Sequence, residues 1–142
     1  YKLAVIKEAV GSSEIINGKS ATGIAALKSA PSTDSAFNIS MGLCVGQLKA
    51  LKFVEAEKSC TKAINSTEIK ASRGRHGKLL KAFALSNRAV VRIFKDNNVG
   101  AFDDFTSALL LTDNKIISDN LTHFKTTIAK STVEDHSSSF AE

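Results

Sequence analysis

Several residue groupings in this chain have the types that chemistry requires. Gly18-Lys19-Ser20 could close a phosphate-binding loop. That loop needs a glycine, four residues, then Gly-Lys-Ser/Thr after a strand, so that backbone N–H groups wrap a phosphate. Here six residues lie between Gly11 and Gly18. Glu14 among them would repel a phosphate, and Ile15 and Ile16 suit a buried helix face. The nucleotide reading is therefore set aside. Gly11 is read as a close helix contact and Gly18 as a turn, where positive φ costs a glycine nothing.

Cys44 and Cys60 are the two cysteines. The turn between them centres near Lys52, which puts both at similar height on facing helices and suits a disulfide. The alternative is a pair of buried thiols packing as small apolar groups. A disulfide implies an oxidising compartment, periplasmic or secreted, whereas free thiols would suit the cytoplasm. Tyr1 in place of Met fits a chain trimmed or processed at its amino end. No further ligand keeps zinc-type spacing with the cysteines, so no metal and no cofactor are expected.

His76, His123 and His136 have no serine, acid or second histidine placed to form a catalytic set. Asp103-Asp104 point about 100° apart on a helix and are read as a solvated face. The chain is accordingly read as not an enzyme. Lys70, Arg73, Arg75, Lys78 and Lys81, with His76 among them, form a basic stretch. Its functional reading is an anion-recognition loop; the favoured reading is a flexible, solvated insertion. Asn38, Asn65 and Asn120 head Asn-x-Ser/Thr triplets, which would matter only in a eukaryotic secretory source.

These residues sit in a chain of 142 residues with 43% hydrophobic and 23% charged residues, which fits one globular domain. The net charge is +5 and the pI about 9.3, but acidic residues are interspersed, so nucleic acid is a disfavoured partner. No apolar run is long enough to span a membrane.

Apolar residues recur at helical spacing, whereas strand-like alternation is poor. Leu80, Phe83, Ala84, Ala89, Val90, Ile93 and Phe94 gather on one face, and Ala101, Phe105, Ala108 and Leu109 follow a polar turn at residues 95–98. This is a helical hairpin. Two earlier segments repeat the design, and 115–130 forms a single amphipathic helix. Small residues repeat with it. Gly11, Gly23 and Ala30 are spaced 12 and 7, as are Ala89, Ala101 and Ala108; Gly42, Ala56 and Ala63 are spaced 14 and 7. Small side chains recur where helix backbones approach closely, which indicates a stacked array.

With "NRA" followed by "GAFDDFTSAL" in one unit, and "FVEAEKSCTKAI" with Phe53 in another, the chain resembles the tetratricopeptide repeat (TPR) family. The resemblance covers about residues 4–130. It implies an all-α, right-handed superhelical array with units at about 4–34, 35–68 and 81–114 and a capping helix at 115–130. Residues 131–142 are read as a flexible tail. The resemblance also implies a peptide or partner helix bound along the concave side. The groove candidates are Glu8, Ser12 and Ile15, then Ile39, Leu43 and Gln47, then Ser86, Val90 and Ile93. Asn87 matches the asparagine that bonds a peptide backbone in some members. The expected function is a non-catalytic protein–protein interaction adaptor. The alternative is a nucleic-acid or anionic-surface binder using residues 70–81, and self-association is open.

Overall fold

The computed structural model describes residues 1–138; the end of the expected tail, residues 139–142, lies outside the described residues. Every regular element among the described residues is helical. The order is α1 (Ser12–Ile16), α2 (Ser20–Lys28), α3 (Ala36–Lys49), α4 (Phe53–Ile64), α5 (Thr67–Ala71), α6 (Arg75–Phe94), α7 (Asn98–Leu111) and α8 (Lys115–Ser138). Several starts are set by side chains that satisfy otherwise unpaired helix N–H groups. Ser35 accepts from Asn38 N at 3.1 Å, Ser66 from Ile69 N at 3.4 Å and Asn97 from Gly100 N at 3.0 Å. Asn114 accepts from Ile116 N at 3.0 Å.

Helices α1 and α2, α3 and α4, and α6 and α7 pack as pairs, and α8 packs on α7. The turn inside each pair has the same backbone form. Gly18, Leu51 and Asp96 occupy the left-handed region with φ of 82°, 61° and 57°. The N–H of each bonds the carbonyl three residues back, on Ile15, Leu48 and Ile93, at 3.2, 3.0 and 3.0 Å. The next N–H, of Lys19, Lys52 and Asn97, reaches five residues back at 2.7, 2.8 and 2.9 Å. This Schellman arrangement satisfies the last carbonyls of a helix while turning the chain. The three helical pairs thus share one turn geometry.

Within the first pair the close contact is between glycines: a Cβ on Gly11 would stand 2.6 Å from the Gly23 carbonyl oxygen. Between pairs, a Cβ on Gly42 would meet Leu27 Cδ1 at 2.8 Å. The main core joins Phe37, Met41 and Cys44 of α3 to Ala56 and Cys60 of α4, Val91 of α6, Phe105 of α7 and Ile117 of α8. Burying each large apolar side chain stabilises the fold by about 1.5–3 kcal/mol. A Cys44–Cys60 disulfide, with Cα atoms 4.9 Å apart, ties α3 to α4.

Four sequence expectations need correction. The first unit does not begin as a helix at residue 4, because residues 1–6 lie outside any helix and turns occupy 7–11. Side-chain amides take up the backbone bonding there, and Gly11 breaks helical geometry with φ 74°. The basic stretch is not one loop, since of its five cations only Arg73 lies outside a helix, in the connection at 72–74. Lys70 lies in α5, whereas Arg75, Lys78 and Lys81 lie in α6, which starts at residue 75 instead of 81. The apolar stripe of Leu80 and Phe83 extends that helix toward its start. Residues 131–138 continue α8 instead of fraying; no glycine or proline interrupts them, and Ser131 and Thr132 bond back to the carbonyls of Ile128 and Ala129. Finally, Asp103 is solvated but Asp104 is only 3% exposed. Arg88 grips its two carboxylate oxygens at 2.8 and 2.7 Å, and Arg92 adds a contact at 3.0 Å.

Candidate functional site

The first helices of the pairs, α1, α3 and α6, and then α8, adjoin one another in that order. Across them runs the segment Tyr1–Ile6, called the strap below. Two asparagines hold it. Lys2 N donates to Asn120 Oδ1 at 2.9 Å, and Asn120 Nδ2 donates to Lys2 O at 2.8 Å. Ala4 N donates to Asn87 Oδ1 at 2.9 Å, and Asn87 Nδ2 donates to Ala4 O at 2.9 Å. One amide on α6 and one on α8 therefore grip alternate residues along one edge of the strap, the period of an extended strand. Past them, Ser12 Oγ donates to Ile6 O at 2.6 Å.

These amides are preorganised. Asn87 is 1% exposed and Asn120 3%, so their polar atoms cannot turn to water. Asn120 Nδ2 also reaches Ser86 Oγ at 3.4 Å, and Asn87 Nδ2 lies 3.9 Å from Met41 Sδ. An amide offers one acceptor and two donors from a plane, which matches the N–H and C=O of a single extended residue. The recognition is of backbone and is blind to side-chain identity. A segment that replaces the strap has to supply both an N–H and a C=O to each amide to match these bonds.

Apolar contacts give the strap its register. Leu3 and Val5 pack on Ile15, Leu27 and Val45, while Leu3, Ala4 and Ile6 pack on the main core. Tyr1 sets its ring edge-on to His123 at 4.8 Å. Partial burial pushes the Tyr1 phenol above its ordinary range, and a hydrogen bond with Thr127 opposes that rise. Tyr1 and Leu3 of the strap form one wall of a depression of about 280 Å³, which continues past them over Leu48, Leu51, Phe53, Val90 and Phe94. The Phe53 and Phe94 rings stack there at 5.5 Å.

Of the sequence-stated groove residues, Ser12, Ser86, Asn87 and Val90 are brought to or beside the strap. Ile39 and Leu43 are half-buried and pack on the same apolar cluster as Leu3. Ile15 is fully buried core, and Ile93 packs half-buried on the main core. Gln47 turns away: with its amide nitrogen toward the Leu43 and Glu55 carbonyls at 3.1 and 3.0 Å, it serves α3 and α4. Glu8 is exposed in the turn before α1 and borders a separate shallow depression that also includes Ile39.

Lys70, Arg73, Arg75 and Lys78 are exposed around the α5–α6 junction and Lys81 is half-buried. No group of His, Cys, Asp and Glu able to hold a metal occurs among the described residues. Nor is any described helix long and apolar enough to cross a membrane.

Sequence reasoning missed Asn120, noting it only as a sequon head; its buried, doubly bonded amide is closed to modification in this fold. A signal was present, since Asn120 follows Asn87 by 33 residues, close to the unit length that the family resemblance implies. Comparison of the chain with protein-family models, with curated proteins and with solved structures gives no match in any of the three.

Proposed function

We propose that this chain is a TPR-like solenoid, a right-handed array of helical hairpins, and a non-catalytic adaptor. Its ligand is an extended peptide from a partner protein, laid across the concave face of the first helices. What supports this reading is the pair of buried amides, Asn87 and Asn120, each bonded to both backbone groups of one strap residue. Such amides suit any extended chain, so the strap is one occupant of a general backbone-reading surface. Apolar walls beside it supply side-chain selection, the usual division of labour in peptide recognition. An oxidising, periplasmic or extracellular setting belongs to the same proposal and is supported by Cys44–Cys60.

A peptide array probed with the full chain tests the reading. Extended decapeptides should be captured once Ala4→Pro has dislodged the strap, and in that background capture should fall about tenfold or more when Asn120→Ala removes one clamp, as expected for loss of about 1.4 kcal/mol. Capture by the Ala4→Pro chain that is indifferent to Asn87→Ala and Asn120→Ala alike would move the binding surface elsewhere.

A further inference from the structure

We infer that the strap is a resident pseudo-ligand, and that the partner segment shares its chemistry and must displace it. This rests on the groove reading above. Binding in trans needs the same groups that Lys2 and Ala4 now use, so strap and partner exclude each other at Asn87 and Asn120.

The strap's own chemistry states what fits. A residue at each clamp must carry an N–H, which excludes proline at strap positions 2 and 4. Position 4 is a small residue, half-buried against the core beside Asn87. Positions 3, 5 and 6 are apolar and half-buried. Position 2 is exposed, so a polar or charged residue is tolerated there.

Displacement faces a short tether. Residues 7–11 form turns, with Ala9 N bonded to Ile6 O at 3.1 Å and Ser12 N to Ala9 O at 3.2 Å. A short connection gives the strap an effective concentration in the millimolar range. A foreign segment therefore needs contacts that the strap lacks, and the neighbouring depression offers them. Leu51 there is 72% exposed and Phe94 53%, and Leu51 keeps a left-handed φ of 61° that a side chain other than glycine rarely adopts. A partner carrying one more large apolar residue past the strap's position would cover this surface.

Exchange of straps between two copies offers no comparable gain. It makes and breaks the same bonds while losing the tether and the freedom of one molecule. The occupant assigned here is accordingly a segment of another protein.

The experiment uses the full chain, wild type and with Ala4→Pro, which removes the N–H that Asn87 receives. Lys2→Pro is the milder second variant, because Lys2 is exposed and only the Asn120 clamp is lost. The probe is a fluorescein-labelled synthetic peptide, YKLAVIK, read by anisotropy. It should bind either strap variant about tenfold or more tightly than wild type, because the apparent Kd rises as the open fraction falls. The same peptide carrying Ala4→Pro should bind more weakly throughout. A displayed heptapeptide library is selected in parallel on both proteins. Selected peptides that bind wild type and variant equally would overturn strap competition while leaving the groove reading in place. Peptides without a small residue between apolar ones would overturn the stated chemistry. Failure of every peptide to bind in an Asn87-dependent manner would remove the groove reading itself. A wild-type dimer that disappears in Lys2→Pro would identify a second copy as the occupant and overturn the assignment to another protein.

Discussion

Asn87 closes a two-bond ring with the backbone of Ala4, both bonds at 2.9 Å, although 83 residues separate them in sequence. A ring of this kind depends on a donor and an acceptor together. Asn87→Ala should therefore destabilise the fold by about 1–3 kcal/mol, since it removes two bonds at a buried position. Asn87→Asp keeps the shape but sets a carboxylate oxygen against the Ala4 carbonyl, so it should be at least as damaging. Chemical denaturation checks the stability. Tyr1, the only tyrosine in a chain without tryptophan, reports the strap directly by its fluorescence. If Asn87→Asp left both signals unchanged, the amide would be a packing group only.

Much of this fold was legible beforehand, and the reasons differ by element. The 3.6-residue spacing of Leu80, Phe83 and Ile93 required a helix, and Gly18 required a turn, because each signal has one structural solution. Cys44 and Cys60 were legible as a disulfide because the intervening turn fixed their relative height. The strap was not. Leu3, Ala4, Val5 and Ile6 form a short apolar run that suits a helix or a strand equally, and only the distant partners Asn87 and Asn120 decide between them. Asn120 was hidden for the same reason, since its role exists only once the strap is in place. Asp104 was misread because its ion partners lie on a neighbouring helix, beyond the reach of local spacing.

The buried position of Asp104 makes it a sensitive one. It balances Arg88 and Arg92, and Arg92 in turn reaches Glu57 of α4 at 2.8 Å, so the network joins α4, α6 and α7. Asp104→Ala should cost about 3–5 kcal/mol by leaving the partly buried Arg88 guanidinium without its counter-charge. Asp103→Ala, at an exposed position one residue away, should stay within about 0.5 kcal/mol. Urea midpoints of the two variants make the comparison; equal effects would contradict the network's role.

Glu57 gives this network a pH dependence. Its contact with Lys95 first, and the charge of Arg92 with it, hold its carboxyl below the usual glutamate range, against a smaller opposing effect of burial. A carboxyl whose folded pKa is depressed adds stability above its unfolded pKa, and that stability is lost as pH falls through the folded value. Below about pH 4.3 the folded protein should therefore weaken more steeply than Glu57→Gln, which cannot gain the proton. Denaturation at a series of acid pH values tests this; identical slopes for both proteins would remove Glu57 from the acid response.

Reduction should loosen the second hairpin. Cys44 and Cys60 are separated by 16 residues, a loop whose crosslink stabilises by about 3 kcal/mol through its effect on the unfolded chain. The Tm of the reduced protein should fall by several degrees, with helical circular dichroism retained at low temperature. An unchanged Tm would mean that the link bears no part of the stability.

The central claim is that the strap is held as an extended strand by two side-chain amides. Amide hydrogen exchange at Lys2 and Ala4 in the wild-type chain tests it most directly. Exchange at both sites should be about a hundredfold or more slower than in an unstructured peptide, with Ala4 losing its protection in Asn87→Ala while the buried amide of Val91 keeps most of its own. Unprotected amides at Lys2 and Ala4 in the wild-type chain would contradict it.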